Sequence, residues 1–82
     1  MRYRLLLSVE AREQLRALPD AYRKNIGQRL DAMQNDLAGD VKKLGGGEAR
    51  YRLRVGSFRV LFTLEQDIIF VYAVKDRKEA YD

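Results

Sequence analysis

The chain contains no cysteine and no histidine. The first absence excludes disulfides, thiolate metal sites and a thiol nucleophile. The second removes the commonest general base and metal ligand, and with it every serine–histidine catalytic pair. Long apolar runs are also missing near the N-terminus. "MRYRLLLSVE" offers only three consecutive leucines, too few for a signal-peptide core or a membrane span. A soluble, cytoplasmic protein is the expectation, and the lack of cysteine fits a reducing compartment. At 82 residues the chain reads as one domain over 1–82. A domain of this size buries only about 60% of its unfolded surface, so packing alone must hold a thin core.

What the chain does have is arginine. Lys and Arg total 16 against 12 Asp and Glu, for a net charge of +4. The acids fall mostly on the expected helices and turns. Between Ala49 and Leu64 there are four arginines and no acid. A charge run is most often a solvated face, so its placement in the fold decides what it means.

The first strand is expected over "RYRLLL", with Tyr3, Leu5 and Leu7 on one side. Ser8 is a suitable N-cap and Glu10 suits a first helical turn. A short helix then carries Ala11, Leu15 and Leu18 on one face until Pro19-Asp20 breaks it. In a second helix, Tyr22, Ile26, Leu30, Met33 and Leu37 form one amphipathic stripe, which reads as core. Gly39-Asp40 ends it, and "VKKLGGGEA" reads as a flexible loop. Its glycines lack the Lys-Ser/Thr and the strand-to-helix setting of a phosphate-binding loop.

A three-stranded antiparallel meander is expected to follow. "RYRLRV" turns Tyr51, Leu53 and Val55 one way and Arg50, Arg52 and Arg54 the other. Gly56-Ser57 makes a tight hairpin. In "FRVLFTL", Val60, Phe62 and Leu64 point inward and Arg59, Leu61 and Thr63 outward. "IIFVYAV" is apolar on both faces and reads as the central, most buried strand. The fold class is therefore α+β, an antiparallel-rich sheet in the order β-α-α-β-β-β, with both helices packed on one face. The opposite face stays open and carries Arg52, Arg54 and Arg59 beside some of Ile68, Phe70 and Tyr72. Strand residues two apart share a face about 7 Å apart. Guanidinium groups that close together favour an anion, which their planar forks grip in bidentate fashion. With aromatics nearby, such a face suits a single nucleic-acid strand. The tail adds Lys75, Arg77 and Lys78, then Tyr81.

The pattern "KKLGGG…YRLRVGSFRVLF…VYAVKDRKEAYD" resembles the RelE/ParE superfamily of toxin–antitoxin toxins, and RelE-like mRNA interferases in particular. The resemblance spans nearly the whole chain. It implies a compact sheet with two helices on one face and a catalytic concave surface on the other. It also implies that Arg52 and Arg54 align the RNA backbone, that Arg59, Arg77 and Tyr81 form the catalytic set, and that Lys42 and Lys43 add basic contacts before the glycine loop. Lys75 and Lys78 extend the RNA-binding charge. The implied partners are a cognate antitoxin protein and mRNA held in the ribosomal A site, with no membrane, metal or other cofactor. Superfamily members that inhibit DNA gyrase share the fold and generally lack this catalytic set, which makes gyrase inhibition the rival reading.

RNA can be cut by its own 2′-hydroxyl, giving a 2′,3′-cyclic phosphate and a 5′-hydroxyl. The requirements are in-line geometry, a proton acceptor, a proton donor and positive charge around phosphorus. Arginine stays protonated, so Arg59 and Arg77 are cast as stabilisers of the developing phosphorane charge. Tyr81 would accept the 2′-OH proton if nearby cations lower its pKa from about 10, or would stack on a base. Lys75 or Lys78 is the alternative base.

Overall fold

The computed structural model describes residues 2–45 and 49–76. Its elements run β1 (Arg4–Leu7), α1 (Val9–Arg16), α2 (Asp20–Met33), β2 (Asp40–Lys43), β3 (Arg50–Val55), β4 (Phe58–Glu65) and β5 (Ile68–Asp76). The strands form one sheet in the order β1-β5-β4-β3-β2. β1 runs parallel to β5, and every other pairing is antiparallel.

The α+β class, the two helices and the β3-β4-β5 meander agree with the sequence reading. Both hairpins are two-residue turns, Gly56-Ser57 between Val55 and Phe58 and Gln66-Asp67 between Glu65 and Ile68. Gly56 (φ 58°) and Gln66 (φ 54°) adopt the left-handed backbone that such turns require. Ser8 caps α1 as expected, its Oγ accepting from the Ala11 N–H at 3.0 Å.

Three expectations are corrected. The segment read as a loop after Gly39 contains β2, so the sheet has five strands rather than four. β2 holds Val41 alone as an apolar residue among Asp40, Lys42 and Lys43, too little for an alternation signal. Pairing with β3 makes it a strand. Secondly, α2 ends at Met33, although Leu37 still packs on the core. Asp36 and Leu37 both turn left-handed (φ 58° and 57°), which costs an L-residue about 1–2 kcal/mol each and stops the helix. The side-chain stripe thus continues past the helical backbone. Thirdly, the middle strand is β4; β5 lies between β4 and β1.

The core sits between the helices and one sheet face. Leu53, Val60, Phe62, Ile69 and Val71 from the sheet meet Ala11, Ile26, Leu30 and Met33 from the helices, all buried. Phe62 is the largest fully buried side chain, and Tyr51 stacks on it from the paired position of β3, ring centroids 5.5 Å apart. Truncating such a residue costs about 3–5 kcal/mol. Gly39 (φ 123°) turns the chain into β2 where a Cβ would come within 2.9 Å of Leu53 Cδ1, so the close approach of this turn to the core requires glycine.

One irregularity shapes everything on the other face. Leu61 pairs with Ala73 but Phe62 pairs with Val71, so β5 carries an extra residue, Tyr72, at a bulge. The start of α1 satisfies the backbone there. Ser8 N–H donates to Val71 O at 2.8 Å, Ser8 Oγ donates to Tyr72 O at 3.3 Å, and Val74 N–H donates to Gln14 Oε1 at 2.7 Å. A strand's side chains alternate with period two, so one inserted residue exchanges the faces beyond it.

Candidate nucleic-acid interface

The helices leave one sheet face uncovered, and the register places the cations on it. One row across the sheet runs Asp40, Arg54, Arg59, Lys75; the next runs Lys42, Arg52, Leu61, Ala73. These rows hold five cations against one carboxylate. Arg54, Arg59 and Lys75 stand directly opposite one another on adjacent strands, roughly 4.8 Å apart along the hydrogen-bonding direction. Like charges in opposed positions lower stability. Lys75 joins the row only because of the bulge; with unbroken alternation from Phe70, position 75 would face the helices.

A cavity of about 360 Å³ opens on this face, lined by Lys42, Lys43, Leu44, Gly45, Arg52, Arg59 and Leu61. It unites four of the residues singled out from sequence: Lys42, Lys43, Arg52 and Arg59. Arg54 and Lys75 flank Arg59 in the register without lining the cavity. Arg77, Lys78 and Tyr81 lie outside the described residues.

Arg59 differs from its expected setting. Its side chain was read as pointing outward on an open face, but only 2% of the residue is exposed. Alternation gives the face and not the depth. Nη1 donates to the backbone carbonyls of Phe58 at 3.1 Å and Gly56 at 3.4 Å. These bonds lock the guanidinium into the cavity wall beside the hairpin turn. A charge this buried must be compensated locally, and the carbonyls supply part of that.

Arg52 is also engaged, although the stretch from Ala49 to Leu64 contains no acid. Its Nη1 lies 3.7 Å from Asp40 Oδ1 and 3.5 Å from Asp40 O. The Asp40 side chain is 59% exposed, and exposed pairs of this kind contribute about 0–1 kcal/mol. A phosphate offering a bidentate, charge-assisted bond competes with such a contact. Asp40 therefore orients Arg52 without closing the site.

Past Leu61 the face changes character. Arg50, Thr63, Phe70 and Leu6 form the next row, and Glu65, Ile68 and Arg4 the last. Phe70 and Leu6 are 38% and 47% exposed, unusual for large apolar side chains lying side by side. Among the described residues no group of three or more His, Cys, Asp or Glu converges as a metal site, and no helix is long and apolar enough to cross a membrane.

The face as a whole offers a deep, fixed guanidinium, further cations beside it and an adjoining apolar patch that contains the Phe70 ring. Chemically it can hold a phosphodiester, stabilise charge building on it and contact the bases beside it. Sequence reasoning missed Gln14, which holds the bulge that turns Lys75 to this face; a glutamine on a helix carries no local signal of that role.

Over residues 5–81 the sequence matches the model of a family described as the ParE toxin of type II toxin–antitoxin systems. It is 36% identical to Toxin RelE3 of Methanocaldococcus jannaschii, over 83% of this chain and 83% of that protein. Its structure is similar to the toxin in the RelB–RelE antitoxin–toxin complex from Methanococcus jannaschii, with 31% identity, 94% and 95% of the two chains covered and a TM-score of 0.79. The archaeal RelE–RelB complex from Pyrococcus horikoshii OT3 matches with 25% identity, 96% and 99% coverage and a TM-score of 0.80.

Proposed function

Because the chain belongs to the RelE/ParE superfamily of type II toxin–antitoxin toxins, we propose that it is a ribosome-dependent mRNA endoribonuclease that blocks translation. The observation that carries this reading is the cavity on the uncovered sheet face, with Arg59 fixed in its wall and Lys42, Lys43 and Arg52 around it. A row of opposed cations at the expense of stability is the expected signature of a site built for a polyanion.

In the proposed reaction the 2′-oxygen of one ribonucleotide forms a bond to the adjacent phosphorus. The P–O5′ bond breaks, leaving a 2′,3′-cyclic phosphate and a 5′-hydroxyl. Arg59 and Arg77 stabilise the charge gathering on the non-bridging oxygens. Being held in advance, Arg59 needs little reorganisation as that charge develops. Arg52, Arg54, Lys42 and Lys43 hold the flanking phosphates, which fixes the in-line geometry. Tyr81 takes the 2′-OH proton, with Lys75 or Lys78 as the alternative acceptor, and a second protonated group or water returns a proton to O5′. Catalysis by positioning and charge is weak on mobile RNA, so the ribosomal A site supplies the ordered substrate.

The partner is a cognate antitoxin, as in the RelB–RelE complexes this fold resembles. The relatives named RelE favour mRNA over gyrase as target, while the family description refers to ParE. Induced expression followed by pulse labelling and mapping of 5′-hydroxyl RNA ends separates the two. Immediate loss of protein synthesis with new mRNA ends is expected. Intact mRNA with a DNA-damage response would assign the toxin to gyrase.

A further inference from the structure

The apolar end of the uncovered face holds two small cavities on either side of one ring. A cavity of about 260 Å³ is lined by Thr63, Glu65, Ile68 and Phe70, and another of about 240 Å³ by Arg50, Thr63, Phe70 and Tyr72. Phe70 and Thr63 are common to both. Each is smaller than the roughly 300 Å³ at which pockets for drug-sized ligands begin, and an aromatic ring forms part of its wall. A protein helix would call for one continuous groove.

Three observations point to one occupant. The cavities lie on the same face as the cationic cavity, separated from it by Leu61. Thr63 is four residues along β4 from Arg59, about 13 Å at about 3.3 Å per residue. About four stacked nucleotides span that distance, at about 3.4 Å each, and fewer do in an extended strand. Finally, the walls combine apolar surface with a few polar groups: a hydroxyl at Thr63, a carboxylate at Glu65 and a guanidinium at Arg50. Aromatic rings bind unstacked bases of a single strand, and polar side chains read their edges.

Building on the RNA-cleaving reading above, we infer that Phe70 and its two cavities form a nucleobase subsite that seats one base of the bound strand two to four nucleotides from the cut, with Glu65 selecting a base that carries an exocyclic amino group. A carboxylate accepts hydrogen bonds and donates none. It pairs with the amino groups of cytosine, adenine or guanine and opposes the two carbonyl oxygens of uracil. Phe70 supplies the stacking surface, and Ile68 and Leu6 support it from the same face.

The test is cleavage of mRNA by the full chain on translating ribosomes, with 5′-hydroxyl ends sequenced. Wild-type cuts should show uracil depleted at one position two to four nucleotides from the scissile bond. Phe70→Ala should lower cleavage about 5- to 160-fold, the range for loss of one stacked base, and flatten the preference at that position. Phe70→Tyr, which keeps the ring, should restore both. Glu65→Gln places an amide where the carboxylate stood and should admit uracil there. Wild-type cutting with an unchanged base profile in Phe70→Ala and Glu65→Gln overturns the subsite and leaves the nuclease reading standing. Failure of Phe70→Tyr to restore what Phe70→Ala loses also overturns it. So does weaker antitoxin inhibition of Phe70→Ala with its cut sites unmoved, which would assign the patch to the antitoxin. Absence of any wild-type cut removes the nuclease reading and the subsite together.

Discussion

The two ends of the uncovered sheet face share β3, β4 and β5 yet differ in chemistry. Near the Gly56-Ser57 hairpin, Arg54, Arg59 and Lys75 lie in one row, with Lys42 and Arg52 in the next. Near the Gln66-Asp67 hairpin, Phe70, Ile68 and Leu6 bring partly exposed apolar surface to the rows that also hold Arg50, Thr63 and Glu65. Neither end is arranged for stability alone. Opposed cations repel, and exposed large apolar side chains forgo burial. Both departures lie on one face, backed by an ordinary apolar core on the other, which is the arrangement the proposed binding surface calls for. One end suits the phosphate chain and the other suits the bases.

That contrast can be broken most severely at Arg59. Arg59→Lys keeps the charge but loses the planar fork anchored to the Phe58 and Gly56 carbonyls. Cleavage on ribosomes should fall about 100-fold or more, the usual effect of removing one preorganised donor to a developing anion. Near-wild-type turnover would move the charge-stabilising role elsewhere. The two ends can next be told apart by salt. Arg52→Ala with Arg54→Ala should lower affinity for a non-cleavable single-stranded 2′-O-methyl oligomer uniformly across sequences and reduce the salt slope by about 1.4. Phe70→Ala should leave that slope unchanged. Equal slopes in all three proteins would mean that the two arginines do not meet phosphates. The smallest effect is expected at the device that keeps both ends on one face. Gln14→Ala leaves the buried Val74 N–H without its acceptor and should cost about 1–3 kcal/mol, read as a lower midpoint in urea unfolding. An unchanged midpoint would show that the bulge is held without α1.

Much of this was legible because alternation survives in β3 and β4. "RYRLRV" and "FRVLFTL" assign each side chain to a face, and the Gly56-Ser57 turn fixes their register. β2 was not legible, since its four residues carry one apolar side chain and owe their extended form to β3. The end of α2 was obscured because Leu37 continues the apolar stripe through a left-handed turn. The bulge in β5 left no trace, because "IIFVYAV" is apolar throughout and a shift of face changes nothing in its pattern. Of the site, the faces of Arg52, Arg54 and Arg59 followed from alternation, whereas the burial of Arg59 and the Asp40 contact of Arg52 depend on neighbours distant in sequence. The expectations for Arg77, Lys78 and Tyr81 lie outside the described residues.

The confinement of Arg59 also changes the thermodynamics of meeting an anion. A solvent-exposed arginine loses up to about 2 kcal/mol of rotamer freedom when it is pinned. Here most of that loss has already occurred during folding, since the side chain is enclosed and tethered to two backbone oxygens. A phosphate that reaches it through the cavity orders little that was previously free, whereas the same phosphate at the exposed Arg54 must first immobilise its side chain. Affinity per hydrogen bond should therefore be greater at the enclosed guanidinium than at the more numerous cations around it.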